Sequence, residues 1–555
     1  MIEKFILEAV EGMGVKLDFA GVEIPKREGQ GDISTPVAMS LSGKLKTAPR
    51  KIAEALILAL NSRPEINAMF EKIEILGPGF INFHLKADFI YDRLMSLYND
   101  SKEFLRVELG FGKRVQVEFV SANPTGPLHL GHGRGAALGA ALANLLTGAG
   151  YEVEKEFYIN DAGRQVSLLG QSVFGAYHKL CNSDKYPIPE DGYRGDYIEV
   201  IAKDIAETHG NSLINRNFSE VSTIFIDYSY KKMLKWIDDD LSTFNVTFDR
   251  WQSERELFDS GIVGASIDLL RQQGYIYDED GAVWFRATAF GDEKDRVIIK
   301  SDGTYTYFAS DISYHIRKFQ RGFDECINIW GADHHGYIPR VKAAIKAAGV
   351  DDSRLTVLLV QMVSLLRAGV PVQMSKRAGE FITLKDLIDE IGADTARFIF
   401  LTRRPDSQLE FDLDAAKAQS AENPVFYVQY AFARINSIFS KAHERGIQTT
   451  SAEINLSLLD KPEELQIIKK LILYPLIYEN AARAREPHRI TFYLQELSGM
   501  FHPYYNKYRI LSVEGSEEST ESLTLTHARL ILCESIKTII EAGLKTLGIT
   551  APERM

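Results

Sequence analysis

The stretch from residue 115 to residue 146 constrains the fold more than any other part of the chain. Val115–Val120 alternates apolar and polar residues, Ser121–Pro127 contains a glycine and two prolines, and Leu128–Leu146 is helical and rich in small residues. A strand, a tight turn and a helix in this order are typical of the start of an α/β unit with a parallel sheet. The sequence therefore predicts an α/β domain that begins near residue 110.

The rest of the chain predicts further domains, since 555 residues exceed what one hydrophobic core usually holds. We predict a multidomain α/β plus α fold: a small α+β N-terminal domain, a Rossmann-like parallel-sheet catalytic domain with an insertion, and a C-terminal α-helical bundle. The predicted boundaries are 1–90 for the N-terminal domain, 110–385 for the Rossmann-like domain with its insertion around 150–285, 386–422 for a connecting segment and 423–555 for the helical bundle.

Composition excludes several classes of protein. No apolar run reaches the ~18 residues of a membrane helix, and the acidic start does not resemble a signal peptide. The three cysteines are widely separated, so we expect no disulfide framework, no thiolate zinc site and a cytoplasmic location. The net charge of −12 makes non-specific binding to polyanions unfavourable, although a local basic surface can still contact phosphates.

Two histidines mark the start of the helix that follows the turn. His129 and His132 are three residues apart, which places them on one helix face, and Gly131 between them would let a flat ring approach the backbone. A helix N-terminus attracts phosphate, and imidazoles can donate to phosphate oxygens. Zinc helices usually space histidines four apart with a glutamate between them, so we expect no metal here.

A second element lies near residue 375. Gln373–Gly379 combines two cations with a small hydroxyl and ends in glycine. A loop that brings Lys376 over a triphosphate would neutralise charge in a phosphoryl-type transition state. Taken alone, the segment would favour a solvated basic turn over this function.

The two elements together are typical of class I aminoacyl-tRNA synthetases, and the segments around them resemble the arginyl-tRNA synthetases. In that family the lysine loop usually reads K-M-S-K, and this chain has Gln373 at the first position while it keeps Lys376. The resemblance rests on Gly77–Phe83 (GPGFINF), Ser121–Arg134 (SANPTGPLHLGHGR), Phe157–Gln165 (FYINDAGRQ), Asp302–Tyr314 (DGTYTYFASDISY), Gly331–Tyr337 (GADHHGY), Asn423–Ile435 (NPVFYVQYAFARI) and Leu547–Met555 (LGITAPERM).

The resemblance implies an ATP-dependent attachment of arginine to tRNA(Arg) through an arginyl-adenylate, with release of AMP and pyrophosphate. It implies ATP with Mg²⁺ as substrate, no structural metal, no membrane, no obligate protein partner and a monomeric state. The implied catalytic residues are His129, His132 and Lys376. The implied ATP-binding residues are His129, Gly131, Asp333, Met374, Ser375 and Lys376.

The arginine pocket also follows in part from chemistry. A guanidinium is a permanently charged planar donor, so a selective pocket needs carboxylates. We assign Glu118, at the end of a strand, and Asp311, four residues after Tyr307, as these carboxylates. The resemblance implies that Tyr307 and Asp311 meet the side chain and that the α-amino and carboxylate end is held by Ser121, Asn123, His132 and His335.

Two surfaces are expected to contact tRNA. Alternation along the strand at residues 80–85 places Phe80 and Asn82 on one face and Ile81, Phe83 and Leu85 in the core. The resemblance implies that this face holds the tRNA elbow. Near the anticodon loop we expect one helix face, spaced i, i+3 and i+7, that carries Tyr427, Tyr430 and Arg434.

Other readings remain open at this point. The chain could be another class I synthetase, for glutamine, glutamate or lysine, or a nucleotidyltransferase of the same superfamily. It could also be a non-catalytic RNA-binding relative, which would predict a damaged histidine or lysine motif; His129, His132 and Lys376 are all present. The D-H-H sequence at residue 333 suggests a manganese phosphoesterase, but the further Asp/His clusters of that chemistry are missing.

Overall fold

The structure is a computed structural model, and two compact units make up the chain. The first unit comprises Met1–Glu108, Tyr427–Lys545 and Ala551–Met555, and the second comprises Leu109–Phe426 and Thr546–Thr550. The structure describes residues 2–25, 27, 29–367, 369–372, 382–420, 422–447, 454–511 and 520–555, with the side chains of 520–522 left out.

The strands of the described residues are β1 (Ile33–Thr35), β2 (Phe70–Leu76), β3 (Phe80–Leu85), β4 (Arg114–Glu118), β5 (Glu152–Ile159), β6 (Arg250–Ser253), β7 (Ile276–Glu279), β8 (Ala282–Phe285), β9 (Arg296–Ile299), β10 (Glu325–Gly331), β11 (Leu355–Val360), β12 (Val363–Arg367), β13 (Val370–Pro371) and β14 (Leu409–Asp412). The helices are α1 (Ile2–Glu11), α2 (Val37–Leu45), α3 (Pro49–Asn61), α4 (Pro64–Met69), α5 (Ala87–Asn99), α6 (Ser101–Phe104), α7 (Leu130–Gly148), α8 (Arg164–Leu180), α9 (Asp196–His209), α10 (Phe218–Thr243), α11 (Glu254–Asp259), α12 (Ile262–Gln272), α13 (Tyr307–Gln320), α14 (Ile338–Ala347), α15 (Leu384–Ile391), α16 (Ala393–Phe400), α17 (Leu413–Lys417), α18 (Pro424–Glu444), α19 (Pro462–Ile472), α20 (Tyr474–Ala484), α21 (His488–Lys507) and α22 (Thr520–Leu547). None of the described helices is long and apolar enough to cross a membrane.

The main sheet of the second unit has the strand order β11-β10-β4-β5-β6, and every neighbouring pair is parallel. The chain runs outward from β4 through β5 and β6 and then returns to the other side of β4 with β10. This reversal is a topological switch point, where ligands of open parallel sheets usually bind. It places the carboxyl ends of β4 and β10 side by side, and the site described below lies there.

Helix α7 owes its small residues to its close approach to the sheet. A Cβ added at Gly139 would collide with the ring of Phe119, the residue that follows β4. The helix is buried along most of its length, so side chains larger than alanine would fit at few positions. The strand–turn–helix prediction and the predicted fold class are therefore confirmed for the described residues, with a parallel-sheet unit, a small antiparallel sheet β1-β3-β2 near the N-terminus and helices α18–α22.

The predicted insertion around 150–285 differs from the structure in one respect. Its first strand, β5, and the later β6 both belong to the main sheet. The helices between them, α8, α9 and α10, share an apolar core of their own. The sequence of β5, EVEKEFYI, contains several charged residues, and two of them, Glu154 and Glu156, pair with Arg321. Because of these charges, the sequence alone did not identify the segment as a strand of the main sheet. The four domain boundaries themselves stay a prediction.

A buried arginine ties the segment 546–550 into the second unit. Arg397 on α16 is fully buried, and its guanidinium donates to the carbonyl oxygens of Leu547 (2.8 Å), Phe244 (2.8 Å) and Asn245 (3.2 Å). These carbonyls lie at the C-terminal ends of α10 and α22, where the helix dipole favours a cation. Asn245 in turn donates to the carbonyl oxygen of Gly548 at 2.9 Å.

Gly548→Ala is expected to destabilise the protein by about 2–4 kcal/mol. Gly548 has φ +70° and a Cβ there would collide with the Arg397 guanidinium, so both backbone strain and overpacking apply. The matched control is Gly349→Ala, which has φ +80° with open space around it and should cost only about 1–2 kcal/mol. Denaturant unfolding measures both, and equal losses would contradict the packing argument.

Candidate active site

A cavity of about 350 Å³ opens at the carboxyl ends of β4 and β10. It contains four of the residues predicted to bind arginine, which come from a strand, the turn after it and helix α13. The lining residues are Glu118, Val120, Ser121, Tyr158, Asn160, Glu254, Tyr307, Asp311, Tyr314, His315, Ile329, Trp330, Gly331, His334, Tyr337 and Val341. The structure therefore brings together Glu118, Ser121, Tyr307 and Asp311, which are distant in the sequence.

The turn after β4 is strained where it borders the cavity. Val120 and Ser121 have φ angles of +67° and +41°, a left-handed conformation that is unfavourable for any residue with a Cβ and worst for a β-branched one. Ser121 is held by its hydroxyl, which donates to Glu118 Oε1 at 3.0 Å and accepts from the backbone N–H of Tyr158 at 3.2 Å. Such strain persists where the surrounding contacts enforce it, as they do here.

Asp311 is a half-buried carboxylate that lines the cavity. Among the described residues its side chain makes no hydrogen bond and no ion pair. Its pKa is raised to about 7, mainly by burial and then by the negative charges of Glu254 and Glu118, while Lys318 opposes these effects. A largely desolvated carboxylate with no partner among the described residues favours binding of a cation.

Glu254 was missed by the sequence analysis. It is the first residue of α11, is 3% exposed and lines the same cavity. Its Oε1 accepts from the Ser310 hydroxyl at 2.6 Å, whereas its buried Oε2 accepts no hydrogen bond from the described residues. Burial raises its pKa. The local sequence W-Q-S-E-R-E shows only a helix N-cap, Ser253, and tertiary folding alone brings Glu254 to Asp311.

Glu118 differs from these two carboxylates because it is already paired. Its Oε2 accepts from the buried ammonium of Lys318 at 2.5 Å. Of the three carboxylates that line the cavity, Asp311 and Glu254 are thus the ones with unused acceptor capacity.

The two histidines form the predicted helix start. His129 is the N-cap of α7, and its Nδ1 accepts from the backbone N–H of Gly131 at 3.1 Å. His132 Nδ1 accepts from the backbone N–H of His129 at 3.3 Å, and the two rings stack 3.7 Å apart. Because both Nδ1 atoms are acceptors, each neutral ring carries its proton on Nε2. The motif therefore offers two Nε2–H donors at a helix N-terminus, which suits phosphate.

Other predicted residues lie outside the lining of the cavity. Asn123 is exposed on the turn after β4, and Asp333 and His335 are exposed on the 3₁₀ turn that follows β10. On that turn it is His334, the neighbour of His335, that lines the cavity. Gln373, Met374, Ser375 and Lys376 lie outside the described residues, so the lysine-loop prediction has no structural account here.

Only part of the predicted RNA-binding face of β3 is accessible to a partner. Ile81, Phe83 and Leu85 are buried as predicted, and Phe80 is half-buried. Asn82, however, is 3% exposed, and its Nδ2 donates to the carbonyl oxygen of Gln30 at 2.5 Å. A direct contact between the Asn82 side chain and RNA does not fit this burial, because the Gln30 loop covers that position.

The predicted face of α18 forms one cluster. The Arg434 guanidinium lies 4.5 Å from the Tyr430 ring and 4.7 Å from the Tyr505 ring, and it donates to the Tyr430 hydroxyl at 3.1 Å. His502 stacks near Tyr430 and donates through Nε2 to the carbonyl oxygen of Tyr427 at 3.1 Å. Tyr505 also lines a neighbouring cavity of about 670 Å³ whose walls carry four cations, Lys441, Arg445, Lys507 and Arg509.

Comparisons with known proteins point in one direction. Family models match residues 1–85 (arginyl tRNA synthetase N terminal domain), 95–436 (tRNA synthetases class I (R), catalytic domain) and 428–555 (DALR anticodon binding domain). An arginine–tRNA ligase of Geobacter sp. (strain M21) is 49% identical over 96% of this chain and 94% of its own length. Arginine–tRNA ligase 1 of Halalkalibacterium halodurans is 44% identical over 99% of this chain and 98% of its own. The arginyl-tRNA synthetase structure of Thermus thermophilus, 23% identical, shares the fold with a TM-score of 0.75 over 100% of this chain and 99% of that one.

Proposed function

Because the chain belongs to the class I arginyl-tRNA synthetase family, we propose that the cavity at the carboxyl ends of β4 and β10 is the arginine site. The protein is an arginine–tRNA ligase that joins arginine to tRNA(Arg) and uses ATP as a substrate. The observation that carries the assignment of the site is a pair of carboxylates with unused acceptor capacity: the half-buried Asp311, whose side chain has no partner among the described residues, and the buried Glu254, whose Oε2 has none.

A guanidinium fits this pair for physical reasons. It is planar, it is always charged, and it presents five N–H donors to acceptors at fixed angles. A lysine ammonium or a glutamine amide would satisfy two carboxylates less well, since the first is a point charge and the second is neutral. Tyr307 at the cavity mouth would pack on the side chain, and Ser121, Asn123, His132 and His335 are our candidates for the α-amino and carboxylate end.

The adenylation step needs charge stabilisation rather than a protein nucleophile. The arginine carboxylate attacks the α-phosphorus of ATP, and pyrophosphate leaves with the electron pair of the broken P–O bond. We assign the Nε2–H donors of His129 and His132 to phosphate oxygens, with Gly131 allowing close approach of the adenosine. Asp333, Met374, Ser375 and Lys376 complete the proposed ATP contacts. The terminal adenosine of tRNA then takes the arginyl group and AMP leaves.

Magnesium is proposed to arrive as its complex with ATP. Mg²⁺ prefers oxygen ligands and is usually held by substrate phosphates, water and one or two carboxylates. The exposed Asp333, on the turn after β10, is a carboxylate of suitable type. We also propose a cytoplasmic monomer, for which the isolated cysteines and the aminoacylation reaction itself are the support.

The experiment that tests the function is ATP–pyrophosphate exchange with each of the twenty amino acids, with and without total tRNA. Exchange with arginine alone among them, and only when tRNA is present, is the expected pattern for this family. Exchange driven by lysine, glutamine or glutamate would overturn the substrate assignment. Robust arginine-dependent exchange in an RNA-free preparation would contradict the expected need for tRNA.

The kcat/KM for arginine should rise with pH through about pH 7. The pKa of Asp311 is raised to about 7, so below this value the carboxyl is neutral and cannot pair with a guanidinium, and above it the anion is present. Each pH unit below the pKa should cost roughly tenfold. Initial rates at saturating ATP between about pH 5.5 and about pH 8.5 measure the profile. Asp311→Asn is the control, and an unchanged profile in this variant would assign the titration to another group.

Phe80→Ala and Tyr430→Ala are expected to raise the KM for tRNA by roughly 5- to 150-fold each, because a stacked base contributes ~1–3 kcal/mol. Tyr430 is 37% exposed beside the basic cavity of the first unit, and Phe80 is half-buried on β3. Arginine and ATP affinities at saturating tRNA should stay near wild type. Phe492→Ala is the control, since Phe492 is exposed on α21 outside the cluster. A folded Tyr430→Ala protein with unchanged KM for tRNA would show that this tyrosine only packs.

A further inference from the structure

Lys318 is a fully buried cation beneath the arginine site. Its side chain is 0% exposed, and its ammonium donates to Glu118 Oε2 at 2.5 Å and to Asn328 Oδ1 at 2.7 Å. The ammonium also lies 4.4 Å from the centre of the Tyr314 ring. Burying a charge is costly unless it is paired and hydrogen-bonded, so these contacts define one position for Lys318 and for Glu118.

The hydrogen bonds continue from Lys318 to the backbone of Asp311. Asn328 Nδ2 donates to His315 Nε2 at 2.7 Å, and His315 Nδ1 donates to the carbonyl oxygen of Asp311 at 2.7 Å. Burial lowers the pKa of His315 to about 3, so the ring is neutral with its proton on Nδ1. Asn328 must accept from Lys318 and donate to His315. Every donor and acceptor in this series of hydrogen bonds therefore has a fixed role.

Helix spacing explains why these groups meet. Tyr307, Asp311, Tyr314, His315 and Lys318 occupy positions i, i+4, i+7, i+8 and i+11 of α13, which is one face of a helix. That face meets Glu118 on β4 and Asn328 on β10. Helix α13 therefore supplies Asp311, a carboxylate of the pocket, and, two turns later, Lys318, the cation that pairs with Glu118.

The charge balance of the pocket depends on this pairing. Glu118, Glu254 and Asp311 all line the cavity, and the two glutamates raise the pKa of Asp311 while Lys318 lowers it. Without Lys318, the three carboxylates would repel one another in a buried site. This repulsion favours uptake of a proton in the pocket, and a neutral Asp311 cannot form an ion pair with a guanidinium.

We propose that Lys318 is a positioning residue for arginine binding: it holds Glu118 as its paired counter-ion, so that two unpaired carboxylates, not three, face the guanidinium. Glu118 then acts on the pocket through its fixed position and its hydrogen bond from Ser121, and not as a direct ligand of the guanidinium. This proposal rests on the proposed arginine site and adds to it the residue that sets its charge.

A double-mutant cycle between Lys318 and Glu118 tests the proposal. Lys318→Met keeps the length of the side chain and removes its charge, and should raise the KM for arginine roughly 10- to 100-fold while the KM for ATP at saturating arginine changes little. The double variant Glu118→Gln/Lys318→Met removes both charges at similar volume. It should recover most of the lost arginine affinity, because the neutral pair restores the balance.

Each outcome of this cycle decides the proposal. A folded double variant with arginine affinity as poor as that of Lys318→Met overturns it, because Glu118 would then bind the substrate directly or Lys318 would serve packing alone. If Lys318→Met does not fold, the double variant decides by itself, and one that also fails to fold overturns the electrostatic role. Asp311→Asn, measured in parallel, separates failure of the proposed arginine site from failure of the role of Lys318. An unchanged KM for arginine in Asp311→Asn rejects the site. A raised KM in Asp311→Asn, without recovery of arginine affinity in the double variant of the cycle, rejects only the role of Lys318.

Discussion

Asp311→Asn is expected to lower kcat/KM for arginine by roughly 30- to 5000-fold, because truncating one partner of a buried hydrogen-bonded charge pair costs about 2–5 kcal/mol. The variant keeps the size of the side chain and removes the anion that the guanidinium would meet. Glu254→Gln should act in the same direction, since its Oε2 is the other buried acceptor left unused by the described residues. Steady-state aminoacylation at saturating ATP and tRNA measures the effect.

Two controls sharpen this result. Asp259→Asn removes an exposed carboxylate from the far end of α11 and should leave the kinetics near wild type. Citrulline, the uncharged counterpart of arginine, should inhibit the wild type poorly and should lose less affinity than arginine on Asp311→Asn. If arginine and citrulline lost affinity equally, the effect of the substitution would be structural and the ion pair would be wrong.

His129→Ala and His132→Ala should each reduce adenylate formation by about 10²–10³, as expected for the loss of one donor to a charged transition state. The KM for arginine should change less in His129→Ala than in His132→Ala, because the second ring is the one proposed to reach the amino-acid end. Single-turnover ATP–pyrophosphate exchange with tRNA present measures the chemical step.

The folding contribution of these histidines has to be separated from their chemistry. Each ring accepts a backbone hydrogen bond at the start of α7, and loss of an N-cap bond costs about 1 kcal/mol of stability. Unfolding midpoints of both variants therefore accompany the kinetics. His443→Ala, which removes an exposed histidine near the end of α18, is the control. Near wild-type exchange in both active-site variants would reject the role of this motif.

The sequence predicted those features that depend on neighbours along the chain. The strand, turn and helix around residues 115–146 follow from local alternation and small residues, and the position of the histidines follows from helix spacing. The pairing of Lys318 with Glu118 was beyond the sequence, because it depends on how α13 packs against the main sheet.

The misses have a common physical cause. Glu254 lines the cavity because β6 joins the main sheet and α11 follows it directly. The local sequence around residue 254 therefore does not indicate a pocket. Asn82 alternates onto the expected strand face, but a loop from elsewhere in the chain covers it. The segment from residue 150 was assigned to an insertion, but its strand β5 joins the main sheet, where Arg321, more than 150 residues later, pairs with Glu154 and Glu156. Each error concerns a contact between segments that are distant along the chain.

The carbonyl cage around Arg397 bears on how the protein is made on the ribosome. The Leu547 carbonyl that accepts from this guanidinium lies 150 residues after Arg397 in the sequence, so it is synthesised long after α16 has emerged. Until then the guanidinium has the carbonyl oxygens of Phe244 and Asn245 but lacks that of Leu547, and leaving a donor unsatisfied in the interior is costly. The second unit therefore reaches its final packing only after residue 547 has left the exit tunnel.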